Sequence, residues 1–270
     1  MARSDLRLAK MYRMPTVFGP APGPRNVPEC QESHRFAGDT VHLDVSALTD
    51  SEALAALLPP GCELRGEPLV RIHIMIMTNL GWLAGRGYNV VTVRIPAVFR
   101  GKVDSVEGEF IPVLWENLAD PIITGREELG MPKIYAEIPP PIVLGDAYQC
   151  SASWMGFRFF ELEVKRLREA PPPAEPTDTF VYKYFPKTGD WGQPDVEYMT
   201  SLAPESSQTK LLRRMEGEGR FEFHPARWED MPTQYPIVNA LAALPLAGFR
   251  SSSVTWTTGK SDLSAQRIVR

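Results

Sequence analysis

Cysteine and histidine are scarce in this 270-residue sequence, which has three cysteines and four histidines. Cys30, Cys62 and Cys150 lie far apart, without a Cys-x-x-Cys pair and without histidines at the spacing of a metal site. We therefore expect three reduced thiols in a cytoplasmic protein, and no bound metal.

Long apolar stretches and clusters of basic residues are missing as well. No segment has the roughly 20 apolar residues that cross a bilayer, and residues 1–14 lack the apolar run of a signal peptide. The 29 lysines and arginines are spread among 33 acidic residues, and residues 81–87 lack the glycine spacing of a phosphate-binding loop. These absences predict no membrane span, no nucleic-acid partner and no nucleotide or other cofactor.

Proline is abundant instead, with 26 residues against 20 glycines. Five prolines within residues 15–28 disfavour a helix and predict an extended arm that lies across a surface or a neighbouring subunit. We expect three parts: a Pro/Gly-rich arm at 1–38, a single domain at 39–257 and a polar C-terminal tail at 258–270.

Between the prolines, most segments show the two-residue alternation of β-strands. The pattern is clearest in residues 69–77, 89–99 and 157–165, whereas residues 51–58 have the alanine and leucine pattern of a short helix. The sequence predicts a mainly β (α+β) fold with a closed or strongly curved, barrel-like antiparallel sheet and a few peripheral helices.

One lysine stands out from this pattern. Lys133 ends the segment GREELGMPK, a polar turn, and is followed directly by the apolar residues Ile134 and Tyr135. An apolar setting favours the neutral form of a lysine amine, which is the nucleophilic form. A neutral amine can attack a ketone and form a Schiff base.

The surroundings of Lys133 resemble a known family. Residues 120–127 and the following Met-Pro-Lys closely resemble the segment of acetoacetate decarboxylases that ends in their Schiff-base lysine. Residues 67–72, 108–110, 153–157 and 182–186 agree with the family in order and character, so the resemblance runs from about residue 40 to about residue 254.

The resemblance implies a barrel-like fold with an interior pocket, a homo-oligomer and a lysine that condenses with a small-molecule carbonyl substrate. Decarboxylation of a β-keto acid is the default activity of the family. Two alternatives remain open: aldolase or dehydratase chemistry by the same lysine on a larger carbonyl substrate, and a non-catalytic barrel that binds a small molecule.

Several positions depart from the family pattern. The family has a second lysine directly after the nucleophile, where this chain has Ile134, and an acidic residue where it has His73. The expected pocket glutamate falls on Asn89 or Val90, and the expected arginine is missing near residues 38–40, although Arg35 is close in sequence. The residues that select the substrate therefore differ from those of acetoacetate decarboxylases.

These comparisons define the candidate site. We predict Lys133 as the catalytic residue, with Arg126 and Glu127 as structural support for its loop. The candidate substrate-binding residues, each of which could instead have an ordinary structural role, are His73, Tyr88, Asn89, Met131, Trp115 and Glu116.

Overall fold

The structure is a computed structural model that describes residues 11–174, 177–203, 207–261, 263 and 265–270. In these residues three α-helices accompany one sheet of 14 strands. The helices are α1 Ser51–Ala55, α2 Ala119–Thr124 and α3 Tyr235–Ala242. The strands are β1 Ala37–Leu48, β2 Cys62–Leu64, β3 Leu69–Leu80, β4 Arg86–Arg100, β5 Ser105–Glu116, β6 Lys133–Tyr135, β7 Ile142–Leu144, β8 Ala147–Trp154, β9 Phe157–Glu169, β10 Asp178–Lys187, β11 Asp190–Leu202, β12 Ser207–Phe223, β13 Gly248–Ser261 and β14 Arg267–Val269.

The local predictions of strands and helices are largely confirmed. The three clearest alternating segments lie within β3, β4 and β9. Apolar residues at alternate positions are buried in β3 and β9, whereas nearly all residues of β4 between 89 and 99 are buried. The predicted helix at 51–58 is observed as α1, which is shorter and begins after Asp50, whose carboxylate accepts a hydrogen bond from the Ala53 amide at 2.9 Å.

The predicted architecture of the sheet is wrong. The strand order is β14-β11-β10-β5-β4-β3-β1-β13-β12-β9-β8-β7, with β2 on β4 and β6 on β5, so the sheet of the described residues is open rather than closed or strongly curved. It is also mixed, because β5 pairs in parallel with both β10 and β6. Alternation along a strand shows which face is buried, but it does not show which strands become neighbours or whether the two edges meet.

The ladder register aligns residues from five neighbouring strands. Asp44 of β1 pairs with His73, His73 with Thr92, Thr92 with Leu114, and Leu114 with Lys133. Paired residues point to the same face of a sheet. We call this face the lysine face and these five residues the lysine row.

The main core lies on the opposite face. Residues adjacent in sequence to the lysine row, such as Ile72, Ile74, Val91 and Trp115, pack there in one cluster with Val238 of α3. The sheet is therefore held in place by the core on its opposite face, and this packing fixes the positions of the side chains on the lysine face.

The division into arm, domain and tail remains a prediction. The first ten residues of the predicted arm lie outside the described residues, and β13 and β14 include parts of the predicted tail. No helix in the described part of the chain is long and apolar enough to cross a membrane.

Candidate functional site

Lys133 is buried at the start of β6, with 8% of its surface exposed. Its Nζ lies 2.7 Å from Oε1 of Glu116 and donates a hydrogen bond of 3.1 Å to the carbonyl oxygen of Pro121. Burying an amine and a carboxylate costs desolvation free energy, and such buried pairs are often found at functional sites.

Glu116 occupies the end of β5 and is also buried, with 1% of its surface exposed. Burial raises the pKa of Glu116, although the ammonium of Lys133 and its hydrogen bond act in the opposite direction. Its second oxygen, Oε2, is buried without a hydrogen-bond partner among the described residues. The pair therefore holds a carboxylate that readily takes a proton, directly beside the amine.

A glycine makes room for the lysine side chain. α2 continues into a π-helical turn, Gly125–Leu129, whose first residue lies under Lys133. A Cβ atom on Gly125 would lie 2.4 Å from Cε, 2.5 Å from Cδ and 2.7 Å from Nζ of Lys133. Gly125 was missed as a site residue although it belongs to the recognised motif, because a motif does not show which of its members touch.

Each of the two predicted loop-support residues takes part in a hydrogen bond to a backbone carbonyl oxygen of the loop. Arg126 donates a hydrogen bond of 3.0 Å from its guanidinium to the carbonyl oxygen of Lys133. The carbonyl oxygen of Glu127 accepts a hydrogen bond of 2.7 Å from Nζ of the buried Lys183. Both contacts fix the path of the chain between the π-helical turn and β6.

The N-terminal arm is attached to the same turn by a shared ion pair. Arg13 lies 3.1 Å and Arg25 lies 3.0 Å from the two carboxylate oxygens of Glu128. The three side chains are 12%, 12% and 5% exposed. The arm thus packs against the loop that carries Lys133.

Replacing Glu128 with glutamine is expected to loosen the arm. The amide keeps the size of the side chain but leaves Arg13 and Arg25 nearly buried without a counter-charge, which should lower the free energy of unfolding by about 3 kcal/mol. Denaturant unfolding and the rate of trypsin cleavage after Arg13 or Arg25 measure the effect. Glu127→Gln is the matched control, and equal protease resistance of the two variants would contradict the role of Glu128.

Two of the predicted substrate-binding residues lie on the lysine face near the pair. Tyr88 is two residues before Val90, which pairs with Glu116, and burial together with the charge of Glu116 raises the pKa of Tyr88 well above its usual value. Met131 packs with Tyr88 and Val90 in one apolar cluster. The structure therefore brings Tyr88 and Met131 together with Glu116 and Lys133.

Two other predicted residues point away from the lysine face. Asn89 donates a hydrogen bond of 2.9 Å from its side chain to the carbonyl oxygen of Ile138. Trp115 is fully buried in the main core, where its indole donates a hydrogen bond of 2.8 Å to Gln234. Both side chains therefore stabilise the fold on the opposite face of the sheet and do not contact Lys133.

His73 lies in the lysine row, three strands from Lys133, and is buried. Its Nδ1 is 2.6 Å from Oδ1 of Asp44, and its Nε2 is 3.4 Å from Nδ1 of His42. His42 and Asp44 were missed in the sequence, although their two-residue spacing in β1 places them on one face.

Other features of the described residues lie apart from this site. A cavity of about 830 Å³ is lined by residues of β8, β9, β12 and α3, and Lys133 is not among them. No group of three or more His, Cys, Asp or Glu side chains in the described part of the chain is placed to hold a metal ion.

Comparisons with known proteins agree on one family. The family model described as acetoacetate decarboxylase matches residues 13–259. An acetoacetate decarboxylase of Clostridium botulinum (strain Eklund 17B / Type B) is 26% identical over 136 residues, which are 47% of this chain and about half (53%) of the length of that relative.

Solved structures show the same fold at lower identity. A structure from structural studies of acetoacetate decarboxylase matches with a TM-score of 0.74 and 17% identity, over 100% of this chain and 98% of the other. The enduracididine biosynthesis enzyme MppR, solved with pyruvate and with the condensation product of pyruvate and imidazole 4-carboxaldehyde, matches with a TM-score of 0.62 and 18% identity. The two MppR matches cover 86% of this chain and 89% and 88% of the MppR chains.

Proposed function

Because the chain belongs to the acetoacetate decarboxylase family, we propose that it is a lyase in which Lys133 forms a Schiff base with a keto substrate. The observation that carries this proposal is the buried pair of Lys133 Nζ and Glu116 Oε1, 2.7 Å apart. The contact joins a nucleophile to a group that can take and return its proton.

The proton of the lysine has a short path to Glu116. The carboxylate takes one proton from the ammonium, which leaves a neutral amine beside a neutral acid. Because both groups are buried, the neutral forms avoid the cost of desolvating two charges. The raised pKa of Glu116 supports this direction of transfer.

Formation of the Schiff base needs only the one proton that Glu116 holds. The amine nitrogen attacks the carbonyl carbon, and a proton moves from nitrogen to oxygen to give a carbinolamine. The hydroxyl leaves as water with the proton of Glu116, which forms the iminium and restores the carboxylate. When the bond to a β-carboxylate breaks, the iminium accepts the electron pair, carbon dioxide leaves, and protonation and hydrolysis release the product.

A second candidate activity is aldol condensation or dehydration by the same lysine. The structure of MppR with a condensation product of pyruvate, and the presence of His73 where the family has an acidic residue, favour this candidate. A third candidate is a binding protein without turnover.

The predicted homo-oligomer and cytoplasmic location remain proposals that gel filtration and cell fractionation would test.

Borohydride trapping separates the three candidates. The protein is incubated with a panel of keto acids and borohydride, which reduces an iminium to a stable secondary amine, and its peptides are weighed by mass spectrometry. We expect an adduct on the peptide with Lys133 and release of carbon dioxide from a β-keto acid. An adduct without carbon dioxide would indicate aldol or dehydration chemistry, and no adduct with any compound would contradict the lyase proposal.

A further inference from the structure

The two carboxylate oxygens of Glu116 have different surroundings. Oε1 lies 2.7 Å from Nζ of Lys133, whereas Oε2 is buried without a hydrogen-bond partner in the part of the chain that the structure describes. Beside Glu116 on the lysine face lie the apolar residues Val90, its partner in β4, and Leu114, two positions earlier in β5. A buried carboxylate oxygen without a donor is costly, and transfer of the Lys133 proton uses only Oε1.

A Schiff base on Lys133 would bring a substrate carbon close to Oε2. The α-carbon is joined to Nζ through the carbonyl carbon, and Oε2 is joined to Oε1 through the carboxyl carbon, so the atoms of each pair lie about 2.2–2.5 Å apart. The single N–H of an iminium should donate to the charged Oε1 rather than to the neutral carbonyl oxygen of Pro121. An α-carbon on the N–H side of the iminium then lies next to Oε2.

Flexible side chains border the pair on the lysine face. Met75, Met77, Tyr88 and Met131 pack against the apolar cluster that contains Val90, and all four are only partly buried. Methionine is unbranched and adapts its shape to what it contacts. Solvent therefore reaches the side chains that border Glu116, and the methionines can shift to admit a substrate that reacts with Lys133.

The charge on the nitrogen controls the protonation of Glu116. Beside a positively charged iminium the carboxylate stays ionised. Loss of carbon dioxide converts the iminium into a neutral enamine, and burial, which raises the pKa of Glu116, is then no longer opposed by a neighbouring cation. Glu116 therefore takes a proton from solvent at the step in which the α-carbon needs one.

We propose that Glu116 is the catalytic acid and base at the α-carbon of the substrate, with which it exchanges a proton through Oε2. This role rests on the proposed function. The O–H bond of Oε2 breaks, the C=C electron pair of the enamine takes the proton to form the C–H bond, and the nitrogen lone pair forms the C=N bond, which restores the iminium and the carboxylate. In the reverse direction Oε2 removes the α-proton. Solvent supplies the one proton that decarboxylation of a keto acid anion consumes.

Two other groups on the lysine face are worse placed or weaker acids. His73 lies three strands from Lys133, and the buried Thr92 and Leu114 stand between them. Tyr88 is closer, but burial and the charge of Glu116 raise the pKa of its hydroxyl well above the usual value. An acid works best when its pKa lies near the working pH, which favours the carboxyl group of Glu116.

Two isotope exchanges in one sample test the proposal. Acetone or pyruvate is incubated with the protein in water enriched in deuterium and oxygen-18, and mass spectrometry follows both labels. Reversible formation of the Schiff base replaces the carbonyl oxygen, whereas proton transfer at the α-carbon replaces hydrogen of the methyl group. Rates measured with Lys133→Met are subtracted as background. We expect both labels to enter the ketone in the presence of the unmodified protein.

Substitutions of Glu116 should separate the two exchanges. In Glu116→Gln the ratio of deuterium to oxygen-18 exchange should fall about a hundredfold, a typical contribution of a general acid or base. Glu116→Asp keeps the charge beside Lys133 but shortens the side chain by one methylene, and should lower the ratio about tenfold. Glu107→Gln is the matched control on β5, because the side chain of Glu107 is 64% exposed. Thermal unfolding shows whether each variant is folded.

The outcomes distinguish this role from the Schiff base itself. Oxygen-18 exchange without deuterium exchange in the unmodified protein, or an unchanged ratio in both Glu116 variants, would overturn the proposal and leave the Schiff base intact. A ratio that falls in Tyr88→Phe and not in Glu116→Gln would assign the proton to the Tyr88 hydroxyl and also overturn it. Oxygen-18 exchange no faster than with Lys133→Met would contradict the Schiff base and the role of Glu116 together.

Discussion

Replacing Lys133 with methionine is expected to abolish the borohydride-trapped adduct and to lower turnover by at least roughly a thousandfold. Methionine has similar length and fits an apolar site, but it has no amine to attack a carbonyl carbon. The fold should persist, because the pKa of Glu116 is already raised by burial and its carboxyl group can become neutral when its partner is removed. Peptide mass spectrometry, turnover assays and thermal unfolding measure the three effects.

Lys165→Met is the control for this substitution. Lys165 is an ordinary surface lysine of β9 that pairs with Glu163 at 3.0 Å, and its side chain is 44% exposed. We expect this variant to form the adduct at the rate of the unmodified protein. An adduct that survives in Lys133→Met, on any other residue, would place the nucleophile elsewhere in the chain.

The sequence predicted strands better than it predicted their arrangement. β3 and β4 were found because their alternating apolar residues pack on one core. β13 was missed because its central stretch, SSSVTWTTG, is mostly polar, although β13 joins β1 to β12 in the middle of the sheet. The parallel pairing of β5 with β10 connects strands that are distant in the chain, and no local pattern encodes such a pairing.

In the candidate site too, the sequence identified residues but did not show which of them the strand pairing brings together. The motif identified Lys133, but only the register of β4, β5 and β6 places Glu116 beside it and Val90 next to Glu116. Tyr88 and Asn89 were both candidates, as were Trp115 and Glu116. Because successive residues of a strand point to opposite faces, only one member of each adjacent pair could face the lysine.

Replacing Gly125 with alanine is expected to slow adduct formation by roughly a hundredfold, which is a typical effect of displacing a reactive group by about 1 Å. The added methyl group would occupy the space of the Lys133 side chain, since its carbon would lie 2.4 Å from Cε. The backbone of Gly125 is helical, with φ of −67° and ψ of −39°, so alanine suits the conformation and the fold should be retained.

Gly192→Ala is the control for Gly125→Ala, because a Cβ atom at Gly192 would have no atom within 4 Å. Stopped-flow measurement of imine formation, followed by thermal unfolding of both variants, separates displacement of the amine from loss of the fold. A rate for Gly125→Ala equal to that of Gly192→Ala would show that the lysine can react from another position. Since a helical backbone does not itself require glycine at residue 125, a selective loss of rate would indicate that this glycine is needed for the space of the Lys133 side chain.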